Sequence, residues 1–189
     1  MKKLILTLLA AIAVSAQAGE IKPYFQVANG WQENRATGAD NISPEFVLGA
    51  KDGNWQYSGR VGWSQSSWGN GSMTNQLEGR LRYNLNPVTG LKLKPYSQLR
   101  LGEQIKTGAH FSYYAIDLGL ITPITKTFEL DFTYRYRNAF ETGNNFETDR
   151  YGVEGKFSLT NKDGIAIRYT QSYGDSETDA WRLQYTRAF

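Results

Sequence analysis

The chain contains no cysteine and only one histidine, and beyond its first eighteen residues it has no long apolar run. Without thiols there are no disulfides and no thiolate metal sites, even in a compartment that would permit them. With His110 alone, any chemistry that needs an imidazole has a single candidate. A membrane-spanning helix needs ~20 consecutive apolar residues, so a mature chain that crosses a bilayer must do so with strands, closed into a barrel. No glycine-rich phosphate loop and no cluster of metal-ligating side chains occurs, so no cofactor and no metal is expected. A surplus of one charge is missing as well. The 21 Lys and Arg stand against 18 Asp and Glu, which argues against a nucleic-acid partner.

The first residues read as an address. Lys2 and Lys3 precede an apolar stretch over 4–14, and Ala16-Gln17-Ala18 has the form of a signal-peptidase site. Residues 1–18 are therefore taken as a signal peptide and 19–189 as one mature domain. Losing Lys2 and Lys3 lowers the formal net charge from +3 to +1.

What the chain has in quantity is alternation. In 127–140, Phe128, Leu130, Phe132, Tyr134 and Tyr136 alternate with Glu129, Asp131, Thr133, Arg135 and Arg137, and a period of two puts the sets on opposite faces of one strand. The same pattern recurs over 20–31, 44–51, 55–65, 74–86, 91–105, 111–122, 149–159, 165–173 and a last segment ending at Phe189. Ten strands follow, each close to the ~9–11 tilted residues that cross the hydrocarbon layer. The odd-numbered connections look longer and more polar than the even-numbered ones, which are short and rich in Gly, Pro, Asn or Asp. The expected fold is all-β: a closed antiparallel transmembrane β-barrel of ten strands in an up-and-down meander, in the outer membrane of a Gram-negative bacterium. A terminal aromatic such as Phe189 resembles the C-terminal signal of chains assembled there. The partners this implies are outer-membrane lipid, periplasmic chaperones and the barrel-assembly machinery, with the chain a monomer. A secreted sandwich or lipocalin-like barrel would instead turn its apolar faces inward.

Phasing each strand in this way puts Lys22, Lys51, Arg60, Arg80, Arg82, Lys92, Lys94, Arg100, Arg135, Arg137, Arg150, Lys156, Arg168 and Arg182 on the interior. The acids of the same phase are fewer: Glu20, Glu45, Glu78, Asp117, Glu129, Asp131 and Glu154. A basic lumen in a low-dielectric wall selects anions, and the guanidinium fork suits carboxylates. From Arg60 to Arg182 these cations are the expected pore-lining, substrate-binding residues, and Tyr24, Tyr96 and Tyr113 the aromatic surfaces offered to a sugar ring. Passive diffusion of small anionic solutes, acidic sugars or oligosaccharides, is the expected function. The alternative is a barrel filled by its own ion pairs, serving adhesion or envelope structure.

The segments LRYNLNPVTGLKLKPYSQLRLG and FELDFTYRYRNAFET, the latter followed by DRYGVEGKFSL, resemble the oligogalacturonate-specific (KdgM-type) porin family over roughly residues 74 to 160. That family includes channels for sialic acid and other acidic saccharides, and its members usually have twelve strands and two tracks of basic side chains. The resemblance makes Arg80, Arg82, Lys94, Arg100, Arg135 and Arg137 candidate track residues. This chain departs from the pattern by lacking one hairpin near its C-terminus, which bears on pore width. An enzyme is not expected. His110 and Ser112 share a strand face as in lipid A deacylases, but the downstream positions of that face, Tyr114, Ile116, Leu118 and Leu120, supply no carboxylate to orient the histidine. The loops are too short for an omptin-type protease.

Overall fold

The computed structural model describes residues 21–66, 73–88, 90–106 and 109–189, so the signal-peptide assignment and Glu20 lie outside the described residues. Ten strands form: β1 (Lys22–Asn34), β2 (Asp40–Asp52), β3 (Trp55–Ser66), β4 (Met73–Asn84), β5 (Lys94–Lys106), β6 (Ala109–Pro123), β7 (Phe128–Ala139), β8 (Thr148–Ser158), β9 (Asp163–Gly174) and β10 (Thr178–Ala188). Each is antiparallel to its neighbours in chain order, and β1 pairs with β10 to close the barrel. With an even number of strands, both ends of the barrel sequence lie at one rim, here called the terminal end. The opposite rim is the loop end.

The registers fix the shape. Following paired positions from Lys22 to Lys51, Gln56, Arg82, Gln98, Asp117, Arg135, Arg150, Ser172 and Thr178 leads back to Asn34 on β1, a stagger of 12 residues. For ten strands that stagger corresponds to a tilt of about 40°, within the usual range for barrels. All these positions face inward, so the stagger path is itself a spiral of polar side chains.

The outer wall is apolar on every strand. Val27, Leu48, Val61, Leu81, Leu99, Ile116, Phe132, Val153, Ile167 and Leu183, one from each strand, are all solvent-exposed large hydrophobic residues. An exposed belt of this extent marks a surface made for lipid. Among the buried described residues, polar or charged side chains outnumber hydrophobic ones, Glu45, Glu78, Arg100, Asp117, Asp131 and Glu154 among them. This inverts a lipocalin-like barrel, and the chain is an outer-membrane-type barrel. Aromatic contacts flank the belt, Trp55 with Tyr83 and Phe25 with Phe189 near the terminal end, Tyr114 with Phe140 near the loop end.

Strands run further than apolar alternation indicates. β1 continues to Asn34 and β2 begins at Asp40, with Gln32 opposite Asn41, through a segment that reads as a polar loop. The contrast in connection length is correspondingly weak, because 85–93 at the terminal end is longer than 35–39, 140–147 or 175–177 at the loop end. Above the lipid both faces of a strand are wet, so backbone pairing persists where the apolar signal stops.

Candidate functional site

The lumen is organised around five buried carboxylates. Glu78 accepts hydrogen bonds from Arg80 Nε at 2.5 Å, Arg100 Nη1 at 3.0 Å and the Tyr113 hydroxyl at 3.0 Å. Asp117, 1 % exposed, is bound by Arg100 Nη2 at 2.6 Å, Arg135 Nε at 2.7 Å and Gln98 at 3.0 Å. Glu45 pairs with Arg60 and with Arg182 at 2.6 Å. Glu154 is bound by Arg168 at 2.8 Å and Arg182 at 3.2 Å, and Asp131 by Lys156 and the Tyr96 hydroxyl. These contacts link nearly every strand across the middle of the barrel into a belt. Buried charges persist only when paired and hydrogen-bonded, and here each carboxylate has at least two partners.

The belt does not use up the cations. Arg137 donates from Nε to Thr148 Oγ1 at 3.1 Å, and Arg150 from Nε to Ser172 Oγ at 2.7 Å. Neither has a salt-bridge partner among the described residues. Arg150 also stands directly opposite Arg135 in the β7–β8 ladder, a like-charge pairing that disfavours the sheet unless something negative lies near. At the terminal side Arg82 bonds, among the described residues, only Asn84 and stacks on Tyr96 at 3.5 Å. Lys94 pairs with Glu129 at 3.1 Å, and Lys51 lies 5.9 Å from the Tyr24 ring centroid.

A chamber of about 500 Å³ occupies the loop half of the lumen. Arg60, Arg80, Arg100, Arg135, Arg137, Arg150, Arg168 and Arg182 line it with Lys106, against Glu45, Glu78 and the loop residue Asp175. Arg82, Lys51 and Lys94 lie below the belt and outside this lining, and Lys156, bound to Asp131 within the belt, is outside it too. Of the cations phased to the interior, Lys92 is misplaced. It sits in the turn before β5 with φ 52, because the strand starts at Lys94 rather than 91.

The interior tyrosines face inward but do not present sugar-binding surfaces. Tyr24, Tyr96 and Tyr113 are 4 %, 4 % and 2 % exposed. Each lies directly opposite a glycine, Gly49, Gly119 and Gly102 respectively, and its ring covers the space a side chain would fill. At Gly102 an added Cβ would stand 2.6 Å from the Tyr113 ring. The rings are wall material, pinned through their hydroxyls to Gln56, Asp131 and Glu78.

Two contributors escape sequence reasoning. Lys106 reads as loop but ends β5 and lines the chamber. Phe146, inside the polar stretch 140–147, folds into the mouth and is 9 % exposed. Its ring meets Phe111 at 4.8 Å and Tyr113 at 5.3 Å, and Arg137 lies over it at 3.7 Å. On the outer wall near the loop end, His110 and Ser112 share a face, and Glu103 of β5 stands opposite Ser112. No hydrogen bond joins the three side chains among the described residues.

No family model and no curated protein matches the chain. Solved structures do. The NanC porin aligns at 8% identity over 86% of this chain and 98% of its own, with a TM-score of 0.54. The KdgM porin aligns at 9% identity over 88% and 99%, with a TM-score of 0.47. Neisserial surface protein A aligns at 12% identity over 89% and 97%, with a TM-score of 0.45. At these identities the likeness is one of fold. The fold shared with the NanC porin is that of a small outer-membrane barrel, and it does not single out the KdgM type.

Proposed function

We propose that the barrel is a porin-like passage for small anionic solutes, acidic sugars among them. The observation that carries this reading is the pair Arg137 and Arg150, which face the chamber with no carboxylate partner among the described residues. Among described inward positions cations outnumber carboxylates by more than two to one. In a low-dielectric wall that excess raises the local anion concentration and repels cations. An entering carboxylate can be held by the fork of Arg137 or Arg150 and passed toward Arg135 and Arg100, whose own carboxylates are already shared. Arg82, Lys51 and Lys94 continue the basic surface to the terminal rim. The belt narrows the route, which favours single acidic sugars over long oligosaccharides. Insertion would use periplasmic chaperones and the barrel-assembly machinery. A lumen closed within one chain supports a monomer.

The test is the reversal potential of the purified protein in planar bilayers under a KCl gradient. Anion preference is expected; cation preference overturns the reading. One observation favours the alternative of a non-conducting structural or adhesin-type barrel, namely the belt of ion pairs across the lumen. Absence of conductance would decide for it.

A further inference from the structure

Three inward-facing arginines on β7, β8 and β9 crowd together where the belt supplies too few acids. Arg150 stands directly opposite Arg135 in the β7–β8 ladder, and Arg168 of β9 converges on them. Their Nε–H groups are committed, Arg135 to Asp117 at 2.7 Å, Arg150 to Ser172 Oγ at 2.7 Å and Arg168 to Glu154 at 2.8 Å. All three also line a second and much smaller space, of about 10 Å³, together with Thr133, Gly152 and Thr170. Thr133 and Gly152 do not line the chamber, so this recess lies behind the arginine side chains, against the strand backbones. No carboxylate lines it among the described residues.

Size and lining together select an occupant. About 10 Å³ is room for one water-sized particle, which excludes a sugar, a carboxylate or a phosphate. Gly152 makes the room. It faces inward between Thr133 and Thr170 in the two ladders, and a Cβ there would stand 3.0 Å from Thr170 Cγ2. A water would bring no charge to three guanidinium groups, and Arg150 has no carboxylate partner among the described residues. Like charges directly opposite each other oppose strand pairing, and a buried charge persists when a counter-charge meets it. A monatomic anion supplies that counter-charge, and the guanidinium N–H groups beyond Nε are its donors.

We propose that the recess is a binding site for a single halide ion, held between Arg135, Arg150 and Arg168. The seated ion offsets the contact between Arg135 and Arg150 and so braces β7 against β8. The site stands apart from the anion-passage reading, because an ion seated in the wall needs no open route through the belt.

Crystals of the protein soaked in sodium bromide test this by anomalous diffraction at the bromine edge. A peak within hydrogen-bond distance of Arg150 and Arg168 is expected. Bromide at the rims alone, with a water in the recess, means an adventitious ion only and overturns the site. In urea unfolding in lipid at equal ionic strength, chloride should raise the midpoint by about 0.3 M over gluconate, which is too large to enter. Arg150→Gln should abolish that difference, as should Gly152→Ala, which keeps every charge and fills the space. A difference that survives in either folded variant overturns the proposal. Anion conductance without a recess peak sinks the halide site alone, and a recess peak in a barrel that does not conduct sinks the passage alone.

Discussion

Arg100 and Arg150 carry the same side chain into the same lumen and meet different company. Arg100 sits in the belt with Glu78 and Asp117 on either side, at 3.0 and 2.6 Å. Arg150 lies toward the loop end, opposite Arg135, with one serine hydroxyl to bind. In the belt, guanidinium and carboxylate are interdependent, and removing either strands the other in a place where water cannot compensate. Above it, the guanidinium groups are surplus to the structure and face open space. A count of interior charges therefore mixes two populations, one tied into carboxylates that brace the barrel and one that is not.

The sharpest way to break this contrast is to empty the belt of one acid. Glu78→Ala leaves Arg80, Arg100 and the Tyr113 hydroxyl without their shared acceptor and should cost about 3–5 kcal/mol, read by urea unfolding in lipid. Next in size is a guanidinium moved to the outer wall beside Asp117. Leu118→Arg, on the lipid face, should cost about 2–4 kcal/mol if it lies near the midplane in the same assay, showing that arginine is tolerated inside because of its partners. Arg137→Gln with Arg150→Gln should change stability by less than about 1 kcal/mol while moving the reversal potential toward zero. The smallest effect belongs to Lys92→Ala. In its turn outside the strands, it should alter unfolding by no more than about 0.5 kcal/mol and leave selectivity as it was.

The barrel was legible because the period of two persists wherever one face meets lipid. Phe128 to Arg137 shows it fully, and inward positions from Arg60 to Arg182 follow from parity alone. The signal fails where lipid ends. Asn34, Asp40 and Lys106 belong to strands, yet they lie beyond the last apolar residue of the alternation, Trp31, Ile42 and Ile105 respectively, so nothing in composition distinguishes paired backbone from loop. Lys92 fails for the opposite reason, since Leu91 and Leu93 extend the alternation into a turn. The belt needed registers rather than parity. Arg182 and Glu45 are 137 positions apart, and only closure makes them neighbours. Phe146 had no periodic context at all, because a lone aromatic in a polar segment reads as exposed.

The bond between Arg182 and Glu45 spans β1, joining the last strand to the second over the small residues Ala28 and Gly30. In an unclosed ribbon those two groups stand near opposite edges, with seven strands between them. The contact can form only once the seam between β1 and β10 has zipped. It works as a clasp: a newly inserted chain gains it last, and a chain that loses it exposes its seam first.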